Sequence, residues 1–249
     1  MKKITKIAAL ILAIALIAAL AASCKGKNAG ELVMATNAEF PPFEFVNDAG
    51  EYDGFDVAFA KALAEEMGMT IRIDNMNFDS IITAVSTSDG NTIGVAAITD
   101  RADRRESVDF TNSYFETTLV IIVPKESGIT SAGDLTEASI AVQEGTTSDI
   151  FCEDSLPDAE ITRFKRAPDT VLELKSGRVD AIVIDRGVAD QFIGDNPDLK
   201  ILDDVLAEEV YAIAVKKGND ELLGKLNAAI RSLMDSGEYQ RIYDAYFES

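Results

Sequence analysis

The chain has 249 residues, 47% of them hydrophobic, with 43 Asp and Glu against 23 Lys and Arg and no histidine. That apolar content supports a sizeable core in one large domain or two small ones, while a formal net charge of −20 repels nucleic acid and anionic membranes. Without histidine there is no Ser-His-Asp or Cys-His nucleophile and no histidine-ligated metal, and with only Cys24 and Cys152 there is no structural zinc site.

The first stretch, MKKITKIAALILAIALIAALAASC, opens with Lys2, Lys3 and Lys6, runs apolar from Ile7, and ends on Ala21, Ala22 and Ser23. That is the three-part layout of a secretory signal. The run is also near the length that spans a bilayer, so an uncleaved anchor fits the same pattern. Cys24, directly after the small residues, resembles the lipid-modified cysteine of bacterial lipoproteins, with Leu20 four residues before it rather than the usual three. The resemblance implies a signal peptide over 1–23, lipid attachment at Cys24, and an extracytoplasmic protein anchored to the cell membrane. Cleavage there removes three lysines and no acid, leaving a still more acidic mature chain. Cys152 is then a lone thiol, unable to close an internal disulfide, and reads as a buried small apolar residue.

Residues 24–30 form a short polar tether. ELVMATN then reads as a strand, and FDVAFAKALAEEMG as a helix with Val57, Ala60, Leu63, Ala64 and Met67 at helical spacing and Gly68 as its stop. TIRID alternates as a strand, FDSIITAVS as a helix capped by Asp79, and TIGVAAI as a buried strand. The strand–helix alternation implies a mainly parallel sheet with helices on its faces. TTLVIIVP is a longer strand, and a second unit follows it. Ser131 and Asp134 suit a capping box, SIAVQ and RVDAIVID are strands, and GTTSDIFCED, DTVLELKSG and GVADQFIGDN are helices. EEVYAIAVKKG (208–218) reads as one long strand, and two amphipathic helices end the chain.

The two long strands, near residues 120 and 211, bracket the second unit. The chain leaves one α/β lobe, builds another and returns, making a two-strand hinge over a cleft; a single continuous sheet fits the same alternation. No dinucleotide, P-loop or EF-hand spacing stands up, and no cofactor or metal is expected. Three features suit a small zwitterion. ITDRADR places Thr99 and Arg104 just past a strand end, where this fold class carries ligands, and Arg offers a carboxylate two parallel donors. The Gly-Thr-Thr turn at 145–147 opens a helix whose free N–H groups suit an anion, or is an ordinary cap by Thr146 or Thr147. Asp185 ends a buried strand and can pair with an ammonium, or cap the next helix.

In this order the features resemble the polar amino-acid-binding proteins of bacterial ABC importers, the extracellular solute-binding proteins of family 3. The likeness runs from Glu31 to Phe247 through LVMATNAEFPPFEFVNDAGEYDGFDVAFAKALAEEMG, VAAITDRADRRESVDFTNSY, IAVQEGTTSD, GRVDAIVIDR and GEYQRIYDAYF. It implies an α/β, two-lobed periplasmic-binding-protein-like fold, with a larger lobe at 31–119 plus 212–249 and a smaller one at 120–211. It implies that Arg104 and Thr99 bind a ligand carboxylate, helped by the Thr147 backbone N–H. The Ala97 carbonyl and Asp185 take its ammonium. Phe40 and Phe78 sandwich its side chain, and Asn37, Asn77 and Gln143 touch the far end. Some members selective for basic amino acids have acids where this chain has Asn37 and Asn77, so the amides tilt toward a polar, uncharged or broader ligand set. Arg101 stands where the family has Thr or Ser, Arg105 where it varies, and Gly94 where Asp is frequent. The implied protein is a monomeric receptor that delivers a free amino acid to an ABC permease. Two alternatives are a dehydratase of cyclic dienyl acids using Glu39 or Asp185, and a separate ligand-presenting partner of a membrane sensor.

Overall fold

The computed structural model describes residues 30–248; the leader, Cys24 and the tether up to residue 29 lie outside them. Strand β1 (Glu31–Thr36) leads to β2 (Glu39–Phe40), β3 (Glu44–Val46), β4 (Tyr52–Asp53), helix α1 (Phe55–Glu66), β5 (Thr70–Asn75), α2 (Ile81–Thr87), β6 (Thr92–Gly94) and β7 (Val108–Phe110). The chain continues through β8 (Phe115–Pro124), β9 (Ser139–Gln143), α3 (Thr147–Ser155), β10 (Glu160–Phe164), α4 (Ala167–Lys175), β11 (Ala181–Asp185), α5 (Arg186–Asp195) and β12 (Leu199–Ile201). It closes with β13 (Ala207–Tyr211), β14 (Ala214–Lys216), α6 (Asp220–Ser236) and α7 (Glu238–Phe247). No helix of the described residues is long and apolar enough to cross a membrane.

The strands form two main sheets, ordered β5-β1-β6-β14-β7 and β10-β9-β11-β8-β12, plus a small antiparallel sheet β2-β3-β4. One side of each main sheet is parallel, β5-β1-β6 in one and β10-β9-β11 in the other, and antiparallel strands complete the other side. The chain is therefore two-lobed, as its alternation implied. The lobes are joined where β8 and β13 pair as a ribbon, Phe115 opposite Tyr211 through Leu119 opposite Ala207. Beyond Leu119, β8 takes on β11 and β12 as partners. The expected long strand over 208–218 is corrected: β13 lies in one sheet and β14 in the other, because the chain changes lobe at Ala212 and Ile213.

Local chemistry explains most element ends. Helix α1 buries Phe55, Val57, Phe59, Ala60, Leu63 and Ala64 on one face and stops where Gly68 takes φ 67. Asn219 caps α6, its side chain accepting from the Leu222 N–H at 3.3 Å. The capping box of Ser131 and Asp134 is present, on a short 3-10 turn. Asp79 does not cap α2; it sits inside a 3-10 turn and its carboxylate reaches Lys165 at 2.9 Å instead. Gly94 owes its place to packing: a Cβ there would lie 3.0 Å from Ile81 and Ile98 and 3.2 Å from Ala214. Cys152 is buried, and burial pushes its thiol up to about 12, which keeps it out of thiolate chemistry.

The fully buried ring of Phe43 sits where the hairpin, the ribbon and α7 meet, 4.9 Å from Phe115, 5.3 Å from Tyr211 and 5.3 Å from Phe247 between centroids. Phe43→Ala is expected to cost about 3–5 kcal/mol, read as a lower denaturant midpoint with an unchanged slope.

Candidate functional site

The carboxyl ends of the central strands of both sheets point at one another. β1 runs into Asn37, β6 into Ala97 and Thr99, β9 into Gln143 and Thr146, and β11 ends on Asp185; all line one cavity. This is the usual ligand position of open α/β sheets, here formed twice and face to face.

The cavity wall holds one cation, Arg104. Arg104, on a 3-10 turn, is 7% exposed. Its Nη1 donates to the Thr99 carbonyl at 2.9 Å and its Nη2 to the Gly145 carbonyl of the other lobe at 3.1 Å. Its guanidinium stacks on Phe78, 5.4 Å from the ring centroid. It has no carboxylate partner among the described residues, and burial, aided by nearby Arg101, lowers its pKa to about 10. Thr146 caps α3 and Thr147 begins it, both buried, so the helix's N-terminal N–H groups face the same cavity. Thr99 donates its hydroxyl to Glu209. The other two arginines of the cluster face outward: Arg101 pairs with Asp103 at 2.9 Å, and Arg105 pairs with Asp100.

Two acids, Glu44 and Asp185, line the same cavity. Asp185 is 4% exposed. It occupies the cap position of α5 yet caps nothing, because its carboxylate accepts from the Tyr211 hydroxyl. Burial, reinforced by Glu209 and opposed by Tyr211, holds its pKa up at about 7. Beside it Ala97 has φ 49, a left-handed conformation uncommon without glycine. Its N–H is tied to Asp56 at 2.7 Å, and the Tyr114 hydroxyl donates to the same carboxylate at 2.8 Å. Asp56 is fully buried, which raises it to about 7 against the lowering by these donors.

The rings of Phe40 and Phe78 and the amides of Asn37 and Gln143 line the same cavity. Asn37 donates to the Met76 carbonyl at 2.8 Å; Gln143 donates to Asn37 Oδ1 at 2.7 Å and to the Lys165 carbonyl at 3.2 Å. The Gln143 NH2 group is thus fully engaged and Asn37 Oδ1 already accepts from it, leaving Gln143 Oε1 as an acceptor and one Asn37 N–H as a donor. Asn77 is the one residue expected at the site that is absent from the cavity wall; it is exposed at the start of a 3-10 turn. Glu39, the other acid considered for catalysis, pairs with Arg166 at 3.2 Å and does not line the cavity.

Two wall residues escaped the reading of the sequence as ligand contacts, Glu44 and Thr146. Thr146 had the form of a cap and is one. Glu44 lies in a short hairpin, where an acid between two phenylalanines looks like an outward-facing strand residue, yet it is 0% exposed.

The lobes are closed on each other. Gln143 meets Asn37, Arg104 meets Gly145, Lys165 pairs with Asp79 at 2.9 Å, and Arg166 pairs with Glu39. Gly145 has φ +78, and a Cβ there would lie 3.1 Å from Asp79 Cβ and 3.3 Å from its Cα. Gly145→Ala is expected to strain the turn and hinder closure by about 1–2 kcal/mol. Calorimetry is then expected to read ligand affinity lower by about fivefold to thirtyfold.

The sequence profile of the bacterial extracellular solute-binding proteins, family 3, matches residues 32–249. The chain belongs to this family. Among family members, a probable histidine-binding protein of Neisseria gonorrhoeae is 34% identical over 91% of this chain and 87% of its own. An ancestral arginine-binding protein, solved bound to glutamine, matches with a TM-score of 0.84 at 36% identity over 90% of this chain and 100% of its own. An ancestral arginine-binding protein solved bound to arginine matches with a TM-score of 0.83 at 36% identity, over 89% of this chain and 100% of its own. An ancestral amino acid-binding protein, described as a precursor of cyclohexadienyl dehydratase, matches at 0.82 with 33% identity, over 88% of this chain and 96% of its own.

Proposed function

We propose that this family member is an extracytoplasmic receptor that binds a free polar amino acid in the interlobe cavity and hands it to an ABC import permease. One observation carries the reading: a single cavity is lined by a buried guanidinium without a salt-bridge partner, Arg104, and by buried carboxyls, Asp185 foremost. Leaving such charges buried and unpaired is costly, and a zwitterion neutralises both at once. The ligand carboxylate takes the free donors of Arg104 and the N–H groups at the start of α3. Its ammonium takes Asp185 and the Ala97 carbonyl, and its side chain lies between Phe40 and Phe78.

One free acceptor, Gln143 Oε1, and one free donor, an Asn37 N–H, favour a polar side chain that offers both kinds of group, such as a carboxamide, or N–H donors alone, such as a guanidinium. The relatives named for histidine and arginine, and those solved with glutamine and with arginine, agree with such a set. We place the lobe boundaries at 119/120 and 211/212, at opposite ends of the β8–β13 ribbon, so that the ribbon itself is the hinge; its pairing of Leu119 with Ala207 and of Phe115 with Tyr211 supports this. The larger lobe binds first and the smaller closes over the ligand; contacts made only when closed supply the differential affinity that shifts the population. We further propose a monomer anchored through Cys24. A thermal-shift screen against the twenty amino acids tests the reading: a ligand at about 100 times its Kd adds about 2.7 kcal/mol, and stabilisation by none of them refutes it.

The dehydratase reading has one relative in its favour, the described precursor of such an enzyme. Product formation from prephenate or arogenate decides it.

A further inference from the structure

The cavity holds more carboxyl groups than one ammonium needs. Glu44 lines the cavity, is 0% exposed, and neither of its carboxyl oxygens has a hydrogen-bond donor among the described residues. It begins β3, opposite Phe40 in the hairpin. Asp56 is pinned next to it, since the Asp56 N–H donates to the Phe43 carbonyl at 2.8 Å. The donors nearby are already taken: the Ala97 N–H and Tyr114 hydroxyl by Asp56, the Tyr211 hydroxyl by Asp185.

The groups facing Glu44 are Asp56 from α1 and Asp185 from the end of β11, backed by the phenols of Tyr114 and Tyr211. The one cation in the cavity wall, Arg104, is not among the groups that act on Glu44. An ionised Glu44 would be a further buried negative charge with no donor and no countercharge. Burial first, then Asp56, push it well above the usual carboxylate range.

We propose that Glu44 is a proton store: neutral in the unliganded site, it releases its proton to solvent when the ligand's ammonium docks between it and Asp185. This deepens the amino-acid reading and rests on it. The step is balanced. The Glu44 O–H bond breaks, the proton passes to buffer, and the arriving ammonium replaces its positive charge in the cluster. Glu44 would thereby favour ligands that stay cationic beside it. Affinity then rises with pH, by up to about tenfold per pH unit while Glu44 is protonated in the unliganded site and ionised in the occupied one.

The test is calorimetry at pH 7 on the mature chain, with whichever of the twenty amino acids stabilises it most. Titrations in phosphate and in Tris differ in buffer ionisation heat, so their difference counts protons. The wild type is expected to release a substantial fraction of one proton per ligand, and E44Q, which keeps a donor for Asp56 but has no proton of its own to lose, measurably less, the remainder coming from Asp185, which sits at about 7. Equal heats in the two buffers for the wild type overturn the proposal. So does wild-type release retained in E44Q, which assigns the proton to Asp185 or Asp56. Should E44Q not fold, the wild-type buffer pair and the slope of affinity between pH 6 and 8 decide, and a flat slope refutes. If no amino acid binds at all, the receptor reading falls and this inference with it.

Discussion

Arg104→Ala is expected to weaken amino-acid binding by about a thousandfold, a loss of roughly 4 kcal/mol, whereas Arg105→Ala keeps it within about twofold. The contrast follows from surroundings rather than residue type. Arg104 is buried against Phe78 and has only backbone carbonyls for partners, so its charge waits for a carboxylate brought by the ligand. Arg105 is half in solvent and already paired with Asp100. Arg104→Lys is a finer probe. Lysine keeps the charge but loses the planar fork that reaches the Thr99 carbonyl, the Gly145 carbonyl and a carboxylate together. Its affinity is expected between wild type and alanine. Calorimetry with one ligand across the three variants reads all of this.

Asp185→Asn is expected to exchange function for stability. The carboxyls of Asp185 and Asp56 sit at about 7 in the folded chain but near roughly 4 when unfolded. Between those values the folded state holds protons that the unfolded state has lost. Stability from these groups is therefore highest at low pH and falls as pH rises through that window, by up to about 1.4 kcal/mol per pH unit for each group. Above about pH 7 their contribution is flat. Unfolding of the unliganded wild type is thus expected to occur at lower temperature at pH 8 than at pH 5. Repulsion across the acidic surface has the same sign, so the variant isolates the site. The substituted amide still accepts from Tyr211 but carries no charge. The variant's melting temperature should therefore depend less on pH and exceed that of the wild type at pH 8. Ligand affinity is expected to drop by about 2–5 kcal/mol, because the ammonium loses its counter-ion. A variant as pH-dependent as the wild type removes Asp185 from this account. The trade is the ordinary one at binding sites, where charges that destabilise the unliganded protein become favourable contacts when it is loaded.

The fold was legible wherever burial imposed a clean period. SIAVQ is the strand Ser139–Gln143, and the helix over FDVAFAKALAEEMG starts and stops near its apolar stripe. The stretch 208–218 misleads for a physical reason: both halves are buried strands, and nothing in their hydrophobicity records that Ala212 and Ile213 carry the chain between sheets. The site residues supported by strand ends and by the family likeness, from Asn37 to Asp185, meet at one cavity, while Asn77 lies outside it. The acidic floor was not legible. Glu44 and Asp56 have the sequence context of a hairpin residue and a helix-start residue, and only tertiary packing puts their carboxyls together behind Ala97. Asp185 reads equally as a cap or a ligand contact in the sequence, and only its bond to Tyr211 separates the two.

The direct test of the zwitterion site compares a bound amino acid with two derivatives of itself. The methyl ester removes the carboxylate charge that Arg104 awaits, and the N-acetyl form removes the ammonium that Asp185 awaits. Titrated calorimetrically against the mature chain, each derivative is expected to bind at least about a hundredfold more weakly than the free amino acid. Either derivative binding as tightly as the free amino acid would contradict the account at the group it probes.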